Sequence, residues 1–348
     1  MRVIYRYILA TVMVTFFIIN VVRQNPRLPQ NHSPPLVPSL SSTIPEVVKL
    51  PDYETIGRRA ECEAFIGDHF VGPPLKKMTL VRVPRQRATI FLATEALKVH
   101  GDFVEAGVFK GGTAFLMAAV LACNNETERR LWLADSYRGL PDPTWHAGDM
   151  AETGGGKQAN WKGLSKKWTA SVDTVMENFA SQQRRWRDLL MQAPEGTPGK
   201  EDWARGGRAQ RFGHFDFQKQ AGILEGWFKD TLKESAAKIG SISFLRCDAD
   251  MYSSTKECLV YLYTRVSSGG LVYIDDYWEF EACRRAVDEF RAEQDVDPNK
   301  EPLYTIMEDG SWHFVKSMTF EAVNAHKRNT YPRGTLERHI DAVFWRKR

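Results

Sequence analysis

The sequence predicts an α/β fold: a mostly parallel sheet with helices on both faces. Three observations carry this. From about residue 52, short apolar runs alternate with amphipathic segments, the pattern of strands joined by crossover helices. The runs are β-type, at Asp102–Val108, Leu131–Ala134, Ile242–Cys247 and Leu271–Ile274, and helical patterns fill Gln86–Val99, Thr113–Cys123, Thr169–Phe179, Ser254–Val266 and Glu281–Glu293. Glycines and carboxylates stand directly after the runs, where open parallel sheets bind their ligands. Composition sets the outer limits. A hydrophobic share of 43% over 348 residues excludes global disorder and suits one large domain or two small ones. A net charge of +4, spread along the chain, leaves no electrostatic footprint for nucleic acid. The five cysteines form no CxxC pair, so neither a zinc site nor a dense disulfide framework is implied, although one or two bridges remain open.

Before that domain lies residues 7–22, sixteen residues without a charge, flanked by Arg2 and Arg6 on one side and Arg23 and Arg27 on the other. At about 1.5 Å per residue this run, counted from Tyr7 or from Val3, reaches roughly 24–30 Å, near the thickness of a thin bilayer. It ends Asn20-Val21-Val22-Arg23 and lacks a small-x-small cleavage site, so a retained transmembrane anchor over residues 7–23 is expected rather than a cleaved signal peptide. A tail of six residues favours a type II orientation with the remainder lumenal, in a Golgi or other secretory-pathway membrane. Residues 24–51 hold seven of the seventeen prolines and read as an extended stem. Asn31-His32-Ser33 and Asn125-Glu126-Thr127 are glycosylation acceptors only if that orientation holds.

The strand ends carry the chemistry. Glu105-Ala106-Gly107-Val108-Phe109-Lys110-Gly111-Gly112-Thr113 leads from the first strand into a helix; Gly107 permits a sharp turn, and Gly111 and Gly112 let a ligand approach a helix N-terminus. The spacing is not the GxGxxG of dinucleotide sites. Asp135-Ser136 follows the second strand, where a carboxylate accepts hydrogen bonds from ribose hydroxyls. Together the loops fit an adenosine-containing ligand without phosphate, such as S-adenosylmethionine. Asp248-Ala249-Asp250 and Asp275-Asp276 end two further strands. Their mutual repulsion is relieved by a hard divalent cation such as Mg²⁺, leaving one carboxylate as a base. Alternation along an extended chain puts Asp248 and Asp250 on one side. The competing reading is that Asp250 and Asp276 cap helices.

In this order, GDFVEAGVFKGGTAFLMAAVL (101–121), LWLADSYRGLPDP (131–143), GILEGWFKDTL (222–232), FLRCDADMYSSTKECLVYLY (244–263) and GGLVYIDDYWEFEACRRAVDEF (269–290) resemble the macrocin O-methyltransferase (TylF-type) family, which methylates sugar hydroxyls of antibiotics. The resemblance implies a class I methyltransferase (Rossmann-like) fold, S-adenosylmethionine and Mg²⁺. It makes Asp248, Asp275 and Asp276 metal ligands and Asp250 the general base. Glu105, Gly107, Asp135 and Ser136 then line the cofactor site, with Thr79 and Leu80 from the preceding segment. Ala249 stands where the family commonly has Gly, and Phe109-Lys110 where it has Trp-Arg; neither removes a reacting group.

The domain therefore runs over 52–316, with 182–211 an arginine-rich insertion and 317–348 an extension without an assigned role. The expected function is a membrane-anchored, Mg²⁺-dependent O-methyltransferase acting on a sugar or glycan acceptor, with a homo-oligomer possible. The alternative is a lumenal glycosyltransferase holding Mn²⁺ and a nucleotide sugar on Asp248-Ala249-Asp250; a non-catalytic tethered module is a third. Trp227, Phe228, Trp278 and Phe280 are expected to pack more than to form a substrate platform, His214 and His313 to be structural, and Cys247 and Cys258 to be buried thiols.

Overall fold

The computed structural model describes residues 53–150, 165–192, 215–306, 312–314 and 342–348. The expected anchor and stem, His214 and the arginines at 205, 208 and 211 lie outside them. Among the described residues no helix is long and apolar enough to cross a membrane.

Helix α1 (Tyr53–His69) and helix α2 (Val83–Ala96) precede the first strand, β1 (Asp102–Ala106). Then follow α3 (Gly112–Cys123), β2 (Leu131–Asp135), α4 (Val172–Gln192), β3 (Ala221–Glu225), α5 (Phe228–Ser235), β4 (Ile242–Cys247), α6 (Tyr252–Leu262), β5 (Val266–Ile274), α7 (Glu281–Glu293), β6 (Tyr304–Ile306), β7 (Trp312–Phe314) and β8 (Val343–Arg346). The sheet order is β3-β2-β1-β4-β5-β8-β6-β7. The first five strands are parallel, and β8 pairs antiparallel with both β5 and β6.

Local chemistry accounts for the layers. Every residue of α3, GTAFLMAAVLAC, is buried, so this helix is apolar all round and sits between the sheet and α1, α2 and α4. The Cys62–Cys123 disulfide ties α1 to the end of α3, which is one of the bridges left open above. Cys247, Cys258 and Cys283 are free and buried, as expected of the first two. On the opposite face α5, α6 and α7 cover a second apolar cluster.

Three expectations change. The first strand ends at Ala106 rather than Val108, because Gly107 turns with φ 92°. The helical pattern expected to end at Phe179 continues to Gln192, so Arg184, Arg185 and Arg187 of the arginine-rich segment lie on helix α4, and Arg185 donates to the carbonyl of His69. The boundary at 316 falls inside the sheet: Val343–Arg346 of the extension form β8, and Trp345 within it is fully buried. A strand of four residues needs no long apolar run when both its edges are paired.

Candidate active site

The parallel strands deliver their loops at one level. The ladder continues one residue past each strand: Gly107 N–H donates to Ala134 O, Asp248 N–H to Ala106 O, Asp275 N–H to Cys247 O, and Gly226 N–H to Asp135 O, at 2.8–3.0 Å. The four loops thus open onto one cavity of about 350 Å³ at the carboxyl end of the sheet. Of the expected site residues, Thr79, Leu80, Gly107, Asp135, Ser136, Asp248, Asp250, Asp275 and Asp276 line it.

Three do not. Glu105 is fully buried beneath the cavity and bonds to Arg246. Gly111 and Gly112 serve packing: a Cβ on Gly111 would lie 2.9 Å from Val175 of α4, and one on Gly112 2.7 Å from Thr79. Without a Cβ, Gly112 lets the 78–81 segment approach closely enough for Met78 O to accept from its N–H, which docks that segment on α3 and brings Thr79 and Leu80 to the cavity. Gly107 is required twice over, by its left-handed φ and because a Cβ would meet Asp248 O at 1.7 Å.

Asp135 is held by backbone. Its Oδ2 accepts from the N–H groups of Val108 and Phe109, at 2.7 and 3.0 Å, and its Oδ1 from that of Tyr137 at 2.8 Å. Burial raises its pKa and these bonds oppose the rise. Phe109 and Tyr137 take the left-handed conformation that lets their amides turn inward, at φ 51° and 54°. The Ser136 hydroxyl closes the same turn, donating to Gly139 O and accepting from Arg138 N–H.

The other half of the cavity is held by side chains. Asp248, Asp275 and Asp276 each offer a carboxylate oxygen within 4.8 Å of the others, the one such group of three among the described residues. Below them Arg246 is fully buried and donates to Glu105 at 2.9 Å, Asp248 at 2.9 Å and Asp275 at 2.8 Å. Register explains the arrangement: Glu105, Arg246 and Tyr273 are direct neighbours across β1, β4 and β5, and Tyr273 also donates to Asp275 at 2.8 Å. From the cavity wall Arg85 of α2 donates to a carboxylate oxygen of Asp275, to its carbonyl at 3.2 Å and to Asp276 at 3.4 Å. Buried Asp276 Oδ2 has no hydrogen-bond donor.

The electrostatics follow. Burial, then Asp250, pushes Asp276 well above the usual carboxylate range; burial, then Asp248, does the same for Asp250. Glu105 is pushed up to about 7 by burial, against the pull of Arg246. Burial works against the Arg246 charge, and Asp275, Asp248 and Glu105 more than restore it.

Asp250 does not reach the cavity by strand alternation. It has φ 57°, and Met251 N–H bonds to Ala249 O, so the chain turns there instead of staying extended. Neither Asp250 nor Asp276 is a helix cap: the N-cap positions of α6 and α7 are Met251 and Phe280, without side-chain caps. The aromatic residues divide, with Trp227, Phe228 and Phe280 lining the cavity and Trp278 buried, its indole donating to Thr305. His313 lies in β7. Sequence reasoning missed Arg85, Arg246 and Tyr273. A lone arginine inside the apolar run ISFLRC was the available signal, because an unpaired charge is not buried in a strand.

A family model described as macrocin O-methyltransferase (TylF) matches residues 79–184 and 208–314. Demethyldecarbamoylnovobiocin O-methyltransferase of Streptomyces niveus is 35% identical over 61% of this chain and 65% of its own length. An 8-demethyl-8-(2,3-dimethoxy-alpha-L-rhamnosyl)-tetracenomycin-C 4'-O-methyltransferase of Streptomyces olivaceus is 34% identical over 58% and 63%. Mycinamicin III 3''-O-methyltransferase of Micromonospora griseorubida is 31% identical over 56% and 61%. The chain thus spans less than two thirds of the length of each of these curated relatives. These findings correct the expected localisation. The type II placement in a Golgi or other secretory-pathway membrane rests on residues 7–22, outside the described structure. No described helix can cross a membrane, and the relatives are enzymes of bacteria, which have no Golgi.

Proposed function

The chain belongs to the macrocin O-methyltransferase (TylF) family, and on that premise we propose that it transfers the methyl group of S-adenosylmethionine to a sugar hydroxyl, with a divalent cation held by Asp248, Asp275 and Asp276. The observation that carries this reading is the division of one cavity into a backbone-built half around Asp135 and a carboxylate half with a donorless buried oxygen on Asp276.

The donor set fits Mg²⁺: hard carboxylate oxygens, more negative charge than the arginines balance, and one buried oxygen without a partner. When bound, such a cation polarises acceptor oxygens and lowers the cost of ionising a hydroxyl. Asp250 lines the same cavity and takes the hydroxyl proton. The acceptor oxygen then bonds to the methyl carbon as the carbon–sulfur bond breaks, leaving neutral S-adenosylhomocysteine and a protonated Asp250. Thr79, Gly107 and the Asp135 loop orient the donor across the cavity from Asp250, and this alignment supplies much of the rate. An acceptor of sugar type is supported by the rhamnosyl group in the name of the S. olivaceus relative.

The glycosyltransferase alternative loses its basis. Asp248 groups with Asp275 and Asp276 rather than acting with Asp250 as a two-residue metal clip, and the family match covers the segments that a nucleotide-sugar site does not need. The test is labelled-methyl transfer from S-adenosylmethionine to a panel of rhamnosyl and other deoxysugar conjugates. Label on a sugar oxygen supports the reading. Label only on an acceptor without sugar removes the proposed substrate class, and no transfer to any acceptor type removes the activity.

A further inference from the structure

Two arginines meet the same carboxylates from different sides, and they are not equivalent. Arg246 issues from the middle of β4, is fully buried, and makes three bonds of 2.8–2.9 Å to three different carboxylates. Removing it would take away the charged partner of the buried Glu105. Arg85 issues from the first turn of α2, lines the cavity, and keeps 14% of its side chain exposed. One of its nitrogens, Nη1, is shared among a carboxylate oxygen and the carbonyl of Asp275 and, at 3.4 Å, Asp276. Its oxygen partners belong to two of the three residues grouped for a cation. Arg246 and Tyr273 both bond Oδ1 of Asp275, whereas Arg85 bonds Oδ2, the oxygen those two leave for a cation. A guanidinium and a divalent ion cannot both hold that oxygen, because like charges repel strongly where screening is weak.

We propose that Arg85 is the exchangeable counter-charge of the site: it neutralises Asp275 and Asp276 while no cation is bound and is displaced from them on loading, whereas Arg246 stays in place in both states. The inference rests on the divalent-cation reading given above. It makes Arg85 a positioning residue that sets the cation affinity and spares the fold the repulsion of a naked carboxylate cluster. The long side chain allows the exchange with no backbone movement, since rotation about its own bonds carries the head group along the cavity wall.

Binding of Mn²⁺ to the full chain, followed by the electron paramagnetic resonance signal of the free ion and competed with Mg²⁺, tests this without reference to turnover. Arg85→Gln is expected to bind Mn²⁺ at least tenfold tighter than wild type, and Arg85→Lys, which keeps a charge, less than threefold tighter. In thermal melts Arg85→Gln should unfold below wild type without cation and regain the difference on Mn²⁺ saturation. Unchanged or weaker Mn²⁺ binding in a folded Arg85→Gln would overturn the proposal, as would equal tightening by both variants. A second readout needs no variant fold: nitrogen-15 spectra of wild type should show one arginine side chain shifting on Mg²⁺ saturation while the buried Arg246 signal stays. Movement of both signals, or of neither, contradicts it. Absence of Mn²⁺ binding in wild type and both variants would instead defeat the divalent-cation reading, and this inference would fall with it.

Discussion

Asp135 and Asp276 both end strands of one parallel sheet and face one cavity, yet the protein treats them in opposite ways. Three backbone N–H groups serve Asp135 and leave it little capacity for anything but a fixed role. Asp276 has one oxygen near Arg85 at 3.4 Å and the other without a donor. The first carboxylate is a strut that joins two loops. The second is one of a set whose repulsion is only partly compensated, which is the condition for binding a cation. A carboxylate after a strand therefore says little until its own hydrogen-bond partners are counted.

Substitutions can break this contrast to different depths. Gly107→Ala is expected to damage both halves together, since its Cβ would strike Asp248 O at 1.7 Å. A loss on the order of 3 kcal/mol in stability, read by thermal or urea melts, should accompany loss of both donor and cation binding. Asp250→Asn should leave both halves intact and lower kcat by about 100-fold or more, with S-adenosylmethionine binding within a few-fold of wild type. Near-normal turnover would remove Asp250 as the base. Asp276→Asn sharpens the contrast: cation affinity should fall about 10–100-fold and donor binding should not change. Asp135→Asn is the mirror experiment. An amide turned either way sets an NH₂ against at least one backbone N–H, a cost of about 1–3 kcal/mol, so donor affinity should fall roughly tenfold while Mn²⁺ binding holds.

The smallest effect is one of pH. Asp250 and Asp276 are raised above their ordinary value of 3.8 in the folded chain, so the native state binds more protons than the unfolded one. Their contribution to stability is therefore present at acid pH and is lost as pH rises through the folded values. Cation-free melts should show this decline as pH rises above the ordinary carboxylate range, and Mg²⁺ should abolish it; a Mg²⁺ response that does not change with pH would contradict the coupling.

Much of this was legible in the chain. Four of the five parallel strands and their loops follow from alternation and from the residues after each run; β3, whose apolar run in AGILE is too short to be recognised alone, does not. Nine of the twelve expected site residues line the cavity; seven stand at or just after a strand end, which fixes their place in the sheet, and Thr79 and Leu80 arrive through the segment docked on α3. What stayed hidden depends on lateral register. That Arg246 lies between Glu105 and Tyr273 is a property of three strands together. The same holds for β8, whose four residues become a strand only between β5 and β6. Gly111 and Gly112 misled for a related reason, since glycine marks any close approach and here the neighbours are α4 and Thr79 rather than a ligand.

The most direct measurement is calorimetric titration of S-adenosylmethionine into wild type, Asp135→Asn and Asp276→Asn. Micromolar binding by wild type and Asp276→Asn, with Asp135→Asn weaker by about tenfold, is the predicted result. No binding by wild type, or equal weakening by the two variants, would contradict a cavity divided into a donor half and a cation half.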